Sequence, residues 1–71
     1  DFSEYAMLRL RLTEGLSLKE AEKRFSFDKE TILHRAEKFR KAGLINISDE
    51  TLSLTKNGFL VSNGIISDLV L

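Results

Sequence analysis

Two arginines near the start of the chain are the side chains best suited to bind a ligand. Arg9 and Arg11 are separated by a single residue. A guanidinium group pairs with a carboxylate through two parallel hydrogen bonds, so either arginine could hold an acidic ligand or an acidic partner surface. A local ion pair with Glu4 or Glu14 is the structural alternative. The sequence therefore offers a carboxylate-binding site here and leaves a structural role open.

The only histidine, His34, is the second candidate for chemistry. As a metal ligand or general base it needs partners, and Glu30 lies four residues earlier, on the same side of a helix. Glu37 and Lys38 are its other neighbours at helical spacing. One carboxylate and one imidazole do not complete a metal site, and a solvated surface histidine is the better explanation of the pattern. We therefore predict neither a metal site nor a catalytic residue.

A helix in the middle of the chain is the clearest element that could position these groups. Asp28 is a favourable N-cap residue. Ile32, Ala36 and Phe39 recur at spacings of four and three, which places them on one face of the helix. Gly43 then occupies the position where a left-handed residue usually ends a helix. The pattern predicts a helix whose apolar face packs on the core.

A β-hairpin is predicted directly after this helix. Residues 44–48 and 51–55 alternate between apolar and polar side chains, as strands with one buried face do. Asp49 and Glu50 separate them. Because this pair lacks the glycine of a tight type I′ turn, we predict a four- or five-residue loop built on a type I turn. The residues expected to face the core are Ile45, Ile47, Leu52 and Leu54.

The first helix is predicted to be apolar on two sides. The arc expected to face the core contains Phe2, Tyr5, Leu8 and Leu12. A second arc contains Ala6, Met7 and Leu10. The second arc has two interpretations, which are docking onto a partner outside this chain and contact of Met7 and Leu10 with the C-terminal helix.

The remaining segments complete a mainly α fold with a small β-hairpin. Ser17 opens a capping box for a short second helix, and Thr55 caps a final helix that runs to Leu71. Asn63 projects into the apolar arc of that final helix, where it needs a hydrogen-bond partner. The predicted order α-α-α-β-β-α is typical of a winged helix-turn-helix, and we expect it to form one domain over residues 1–71.

Composition restricts the possible partners of this domain. The 71 residues contain eleven basic and eleven acidic side chains, giving a formal net charge of zero. Nucleic-acid-binding domains usually carry a basic excess. The cations that a recognition helix would present to DNA are Lys29, Arg35, Lys38, Arg40 and Lys41. Asp49 and Glu50 stand where a DNA-binding wing usually carries cations, so we expect no strong nucleic-acid binding.

The absence of cysteine and of long apolar stretches restricts the compartment. Without cysteine the chain has no disulfides, no thiolate metal ligands and no cysteine nucleophile, which suits a reducing cytoplasm. No stretch approaches the ~20 apolar residues that a membrane-spanning helix needs. We therefore expect a cytoplasmic protein with no membrane partner.

Two stretches resemble one known domain. Residues 7–15, with the sequence MLRLRLTEG and followed ten residues later by Phe25, are similar to an LxLRLxEG…F signature. It belongs to the C-terminal domain of oxygen-independent coproporphyrinogen III oxidases and their haem-chaperone-like radical S-adenosylmethionine relatives. Residues 43–63 are similar to the GLL…LRLTxKG…SN ending of the same domain. The residues that match these motifs are Arg11, Glu14, Gly15, Gly58 and Asn63. Arg9 departs from the pattern, since the family commonly has a small residue there.

The resemblance implies a role beside a catalytic domain that these 71 residues do not contain. That domain is expected to hold S-adenosylmethionine and a 4Fe–4S cluster, and to act either on coproporphyrinogen III or as a haem chaperone. This chain would then be the C-terminal part of a longer protein, with no cofactor and no catalysis of its own. The resemblance implies packing on the catalytic barrel and contact with the tetrapyrrole. Candidate residues for either contact are Met7, Arg9, Leu10, Arg11 and Asn63. The alternative is a winged-helix module of a regulator that binds DNA or a protein.

Overall fold

The computed structural model describes residues 1–70 as five helices and three short strands. In chain order the elements are α1 (Phe2–Leu10), β1 (Leu16–Ser17), α2 (Leu18–Glu22), α3 (Lys29–Lys41), β2 (Ile45–Ser48), β3 (Thr51–Leu54), α4 (Lys56–Leu60) and α5 (Ser62–Val70). The prediction of a mainly α fold with a small β-hairpin is confirmed. The order of elements differs from the predicted one by an additional strand and by a break in the final helix. The predicted end of that helix at Leu71 lies outside the described residues.

The additional strand, β1, makes the hairpin part of a three-stranded antiparallel sheet. The strand order is β1-β3-β2, with Leu16 opposite Leu52 and Ser17 opposite Thr51. Leu16 is fully buried, so this edge strand covers part of the core. Ser17 also caps α2, because its Oγ accepts the backbone N–H of Glu20 at 3.2 Å. A two-residue strand is too short to show a period of two, which is why the sequence pattern did not reveal it.

The turn between β2 and β3 is shorter than predicted. Ser48 pairs with Thr51, so only Asp49 and Glu50 form the loop. Both have positive φ, at 50° and 62°, which is the left-handed conformation that a type I′ hairpin requires at its two central residues. The prediction of a four- or five-residue loop is therefore wrong.

Neighbouring segments hold this left-handed turn in place. Lys19 Nζ donates to Asp49 Oδ1 at 2.6 Å, and Lys29 Nζ donates to Glu50 Oε1 at 3.1 Å. The backbone N–H of Leu18 donates to the carbonyl oxygen of Glu50 at 2.9 Å. These contacts come from residues 21 to 32 positions away, so a local turn pattern gives no sign of them.

Glu50→Gly is expected to stabilise the protein by about 0.5–1 kcal/mol. Glycine adopts positive φ without the steric cost that a side chain carries there. The ion pair that the change removes is partly exposed, and such pairs contribute little to stability. Urea denaturation followed by circular dichroism measures the difference in free energy of unfolding.

Gly43→Ala is the matched control for Glu50→Gly. Gly43 has a φ of 77°, and a Cβ added there would have no atom within 4 Å, so backbone strain is the only expected effect. We expect a loss of about 1 kcal/mol, opposite in sign to the gain at Glu50. A loss of stability in Glu50→Gly would show that the Lys29 ion pair outweighs the strain.

The core lies between α1, α5, the N-terminal part of α3 and the inner face of the sheet. Its largest fully buried side chains are Leu10, Leu16, Leu18, Ile45, Leu52, Ile65, Ile66 and Leu69. The buried residues of the hairpin are Ile45, Leu52 and Leu54, with Ile47 half-buried, so the predicted inner face is confirmed. Phe39 is only half-buried at the end of the predicted apolar face of α3.

The prediction of which arc of α1 faces the core is wrong in part. Ala6 and Leu10 are completely buried where α1 packs on α5 and the sheet, whereas Leu8 is 69% exposed and Leu12 43% exposed. The small side chain of Ala6 allows neighbouring atoms to approach α1 closely. For the second arc, the sequence left open docking onto an outside partner or contact with the C-terminal helix. The burial of Leu10 agrees with the contact with the C-terminal helix.

A cluster of aromatic rings fastens α1 to the turn between α2 and α3. Phe2 stacks on Phe27 with ring centroids 4.2 Å apart, and Tyr5 lies 5.1 Å from Phe25. The guanidinium of Arg24 lies over the rings of Tyr5 and Phe25. All four rings are half-buried, so this cluster extends the core at one end of the molecule. It gives Phe25, a residue of the first motif, a structural role.

Candidate functional site

Two of the predicted site residues meet at the surface. Arg11 caps the C-terminal end of α1, and Asn63 lies in the first turn of α5. Arg11 Nη2 donates a hydrogen bond to Asn63 Oδ1 at 2.8 Å, although 52 positions separate the two residues. Both side chains are exposed, so the expectation that Asn63 projects into an apolar arc is wrong. Arg11 supplies the hydrogen-bond partner that Asn63 was predicted to need.

The side chain that accepts the hydrogen bond of Arg11 carries no charge. An asparagine amide orients the guanidinium but does not neutralise it, whereas a carboxylate does both. Arg40 illustrates the ordinary case, since its Nη2 donates to Glu37 Oε2 at 2.7 Å. That contact lowers the pKa of Glu37 and raises the pKa of Arg40. The Arg11–Asn63 pair thus presents a fixed positive charge at the surface.

Arg9 has a structural contact of a different kind. Its Nε donates to the carbonyl oxygen of Gly15 at 3.1 Å, in a half-buried position. Gly15 has a φ of 79°, and a Cβ there would overlap the carbonyl oxygen of Leu52. The Arg9 side chain therefore helps to hold the tight segment that leads from α1 into β1. The contact that the structure gives Arg9 is neither of the predicted ion pairs, with Glu4 or with Glu14.

Neither apolar residue predicted for the docking surface is freely exposed. Leu10 has no exposed surface and belongs to the core, so its prediction as a contact residue is wrong. Met7 is half-buried and packs on the core. The apolar residues that do reach solvent near Arg11 are different ones, and sequence periodicity did not identify them.

Five large apolar side chains are exposed in residues 1–70; Phe59 is the least exposed, at 38%, and the other four lie in the two segments that Arg11 and Asn63 join. We call these four the apolar patch, and its members are Leu8, Leu12, Leu60 and Val61. Leu8 and Leu12 flank Arg11 at the end of α1, while Leu60 and Val61 lie at the break between α4 and α5, just before Asn63. Leu60 is 82% exposed and Val61 51% exposed. The sequence contained one sign of this exposure. Phe59, Leu60 and Val61 are consecutive apolar residues, and a helix with one buried face cannot bury all three.

The cations of α3 are largely paired with carboxylates. Lys29 Nζ lies 3.1 Å from both Glu22 Oε2 and Glu50 Oε1, and the hydrogen bonds to Glu22 and then Glu50 raise the pKa of Lys29. Lys38 Nζ lies 2.7 Å from Asp68 Oδ2 on α5. A shallow surface groove on this helix is lined by His34, Arg35, Glu37, Lys38 and Lys41. The face that would meet DNA in a regulator therefore has much of its positive charge compensated.

Duplex DNA is expected to bind this chain no more tightly than about 10⁻⁴–10⁻⁶ M, the range of non-specific binding. The physical reasons are the net charge of zero and the pairing of Lys29 and Lys38 with carboxylates. Fluorescence anisotropy with a labelled duplex at low salt measures the affinity. A tighter, sequence-dependent complex would favour the regulator interpretation over the enzyme interpretation.

The structure offers no preformed metal site in residues 1–70. No group of three or more histidine, cysteine, aspartate or glutamate side chains comes together there. His34 is exposed on α3 and lies in the shallow groove beside Lys38 and Lys41. None of the helices in the described part of the chain is long and apolar enough to cross a lipid bilayer.

Comparison with known proteins gives one match. The model of a family described as the HemN C-terminal domain matches residues 2–61, which is most of the chain. No curated protein sequence and no solved structure matches this chain. The matched region contains Arg11, Gly15 and Gly58, while Asn63 lies two residues beyond it. The two motifs and this match agree, and the chain belongs to the HemN C-terminal domain family.

Proposed function

We propose that this chain is the accessory C-terminal domain of a radical S-adenosylmethionine protein similar to oxygen-independent coproporphyrinogen III oxidase. In this proposal it packs on the catalytic barrel of its own protein, in the cytoplasm, within haem and porphyrin biosynthesis. S-adenosylmethionine and a 4Fe–4S cluster would be bound by that barrel and would supply the radical chemistry there. The whole protein would be an oxidase acting on coproporphyrinogen III or a related haem chaperone. Membership of the HemN C-terminal domain family supports the proposal.

The observation that carries the proposal furthest is the Arg11–Asn63 pair. Asn63 fixes the guanidinium through a single hydrogen bond and leaves its charge available. The planar guanidinium has five N–H donors in total, so it can also pair bidentately with a carboxylate. A tetrapyrrole carries propionate side chains, and a fixed cation at the seam between two domains is well placed to hold one. We propose this role for Arg11 and an orienting role for Asn63.

The arrangement of elements also supports the winged-helix interpretation of the fold. Helices α2 and α3 form a helix-turn-helix pair, and the β2–β3 hairpin follows immediately, with β1 completing the sheet. The carboxylates of the hairpin turn are bound to Lys19 and Lys29. We propose that this unit is a scaffold that positions the end of α1 beside the start of α5.

Arg11→Glu in the full-length protein is expected to lower tetrapyrrole affinity or turnover by roughly 10- to 100-fold. The estimate corresponds to the loss of a charge-assisted hydrogen bond, about 1.5–3 kcal/mol. Titration of the tetrapyrrole by absorbance and steady-state turnover measure the two effects. Asn63→Ala should change the same quantities in the same direction by a smaller factor, because it removes only the group that orients Arg11.

Lys38→Glu is the matched control for Arg11→Glu. It makes the same charge reversal on an exposed residue of α3, beside Asp68 rather than beside Asn63. We expect tetrapyrrole binding to be unchanged in Lys38→Glu and the melting temperature of the 71-residue chain to be nearly unchanged in Arg11→Glu. If Arg11→Glu unfolds the chain, Arg11 is structural. If Lys38→Glu abolishes activity, the proposed face is wrong.

A further inference from the structure

We infer that the apolar patch, together with the Arg11–Asn63 pair at its centre, is the surface on which the catalytic domain of the same protein docks. The inference rests on the proposed function, since it assumes that a catalytic domain packs on this chain. It adds which residues make the contact. Two of them, Leu60 and Val61, lie far from α1 in the sequence and outside every motif-based prediction of the site.

The geometry gives the patch a defined centre. Leu8 lies in the last turn of α1, Arg11 caps that helix, and Leu12 is the residue directly after the cap. One hydrogen bond of 2.8 Å joins Arg11 to Asn63, which follows Leu60 and Val61 by only three and two residues. The hydrogen bond therefore brings together the two chain segments that carry these exposed apolar side chains.

The break between α4 and α5 creates half of this patch. Val61 has φ −123° and ψ 29°, so the helix stops there and α5 begins again at Ser62. The carbonyl oxygen of Gly58 accepts the N–H of Val61 at 3.1 Å, which tightens the last turn of α4. If α4 and α5 were one continuous helix, Leu60 and Val61 would point in other directions relative to the buried face of α5. Leu60 and Val61, which lie at this break, are both exposed.

Covering the patch would make the arginine more effective. An apolar ring around a polar contact excludes water, and charges interact more strongly where water is excluded. A surface that covers the apolar patch therefore has to be apolar where it meets the leucines and the valine. Opposite Arg11 it has to supply, or leave room for, an anionic group. In the proposed function, a propionate of the tetrapyrrole held by the catalytic domain would be that anionic group.

Charge argues against a second copy of this chain as the occupant. A two-fold interface brings each residue near its own equivalent in the partner around the symmetry axis. An interface centred on this patch would place two Arg11 side chains close together, and asparagine does not neutralise either of them. Like charges that meet in an interface are unfavourable. A domain of the same polypeptide, in contrast, is held nearby at high effective concentration.

Other faces of the molecule fit this occupant less well. The exposed face of α3 carries paired charges such as Lys38 with Asp68, and the hairpin turn carries Lys19 with Asp49. Burying these ion pairs would require them to lose water without gaining a better partner. Burying Leu60, in contrast, removes apolar surface from water and is favourable.

Hydrogen–deuterium exchange compared between the full-length protein and the 71-residue chain tests the inference. Amides in residues 8–12 and 59–63 should exchange at least about tenfold more slowly in the full-length protein. Amides of α3 and of the β2–β3 hairpin should exchange at similar rates in both. Sedimentation of the 71-residue chain should show a monomer.

Leu60→Asp in the full-length protein should restore the exchange of residues 8–12 and 59–63 to the rates of the 71-residue chain. Asn57→Asp is its control, because it adds the same charge to an exposed position of the same helix, outside the patch. Leu60→Asp should leave the melting temperature of the 71-residue chain nearly unchanged, since Leu60 is 82% exposed.

The possible outcomes separate the inference from the proposed function. Protection confined to α3 or the hairpin would overturn the inference and leave packing on the catalytic domain intact. No protection anywhere would overturn the packing itself. A dimer of the 71-residue chain that Leu60→Asp dissociates would assign the patch to a second copy and overturn the inference. Protection of both patch segments that Leu60→Asp removes and Asn57→Asp preserves would support it.

Discussion

Gly58→Ala is expected to lower the free energy of unfolding by about 3 kcal/mol. A Cβ at Gly58 would overlap the carbonyl oxygen of Leu44 and would also meet Leu54 Cβ at 3.4 Å. The Leu44 carbonyl cannot move freely, because it accepts the backbone N–H of Thr55 at 3.0 Å. Overpacking against fixed backbone costs about 3 kcal/mol or more. A 71-residue domain has a total stability on the order of 5 kcal/mol, so this loss removes more than half of it and leaves a folded but much less stable protein.

Gly64→Ala is the matched control for Gly58→Ala. Gly64 is also helical, in α5, but a Cβ there would have no atom within 4 Å. Alanine at an open helical position is expected to stabilise the protein by about 0.5–1 kcal/mol. Thermal denaturation followed by circular dichroism gives both results. A Gly58→Ala variant that melts within a few degrees of the parent would show that α4 does not pack closely on the segment before β2.

Leu10→Ala is expected to lower the free energy of unfolding by about 3–5 kcal/mol. Leu10 has no exposed surface and lies where α1 packs against α5 and the sheet, so truncation leaves a cavity that neighbouring side chains fill only in part. Urea denaturation measures the change. The midpoint should fall while the dependence of the free energy on urea stays nearly constant.

Leu8→Ala makes the same substitution two residues earlier in the same helix. Because Leu8 is 69% exposed, we expect a change within about 0.5 kcal/mol. The two variants have the same intrinsic helix preference, so their difference reports burial alone. Equal effects at Leu8 and Leu10, or a larger effect at Leu8, would show that α1 is rotated about its axis relative to the structure described above.

The helix caps and the left-handed residue after α3 were predicted correctly from the local sequence. Asp28, Ser17 and Thr55 cap the helices at which the sequence placed them, and each side chain accepts the backbone N–H three residues later. Gly43 has the predicted left-handed conformation, with a φ of 77°. These features depend on groups three or four residues apart. For that reason local sequence is sufficient to define them.

The candidate site was predicted in part. The resemblance of α1 and of the region after Gly58 to one family pointed to Arg11 and Asn63, and the family match confirms the resemblance. It did not show that Arg11 and Asn63 touch, because 52 positions separate them and no local rule relates their positions. The roles of both residues stay predictions until the Arg11 and Asn63 variants are measured.

The sequence by itself determined the first three helices, the caps at Ser17, Asp28 and Thr55, the two strands of the hairpin, the inner face of that hairpin and the family. Tertiary structure alone decided which of the two apolar arcs of α1 is buried. Both arcs are apolar, so hydrophobic periodicity gives no reason to prefer one over the other. It also decided the left-handed turn at Asp49 and Glu50, since lysines 21 and 30 positions away bind those carboxylates. The pairing of Arg11 with Asn63 and the exposure of Leu60 have the same origin. Each depends on segments that are distant in the sequence and meet only when the core between α1, α5 and the sheet forms.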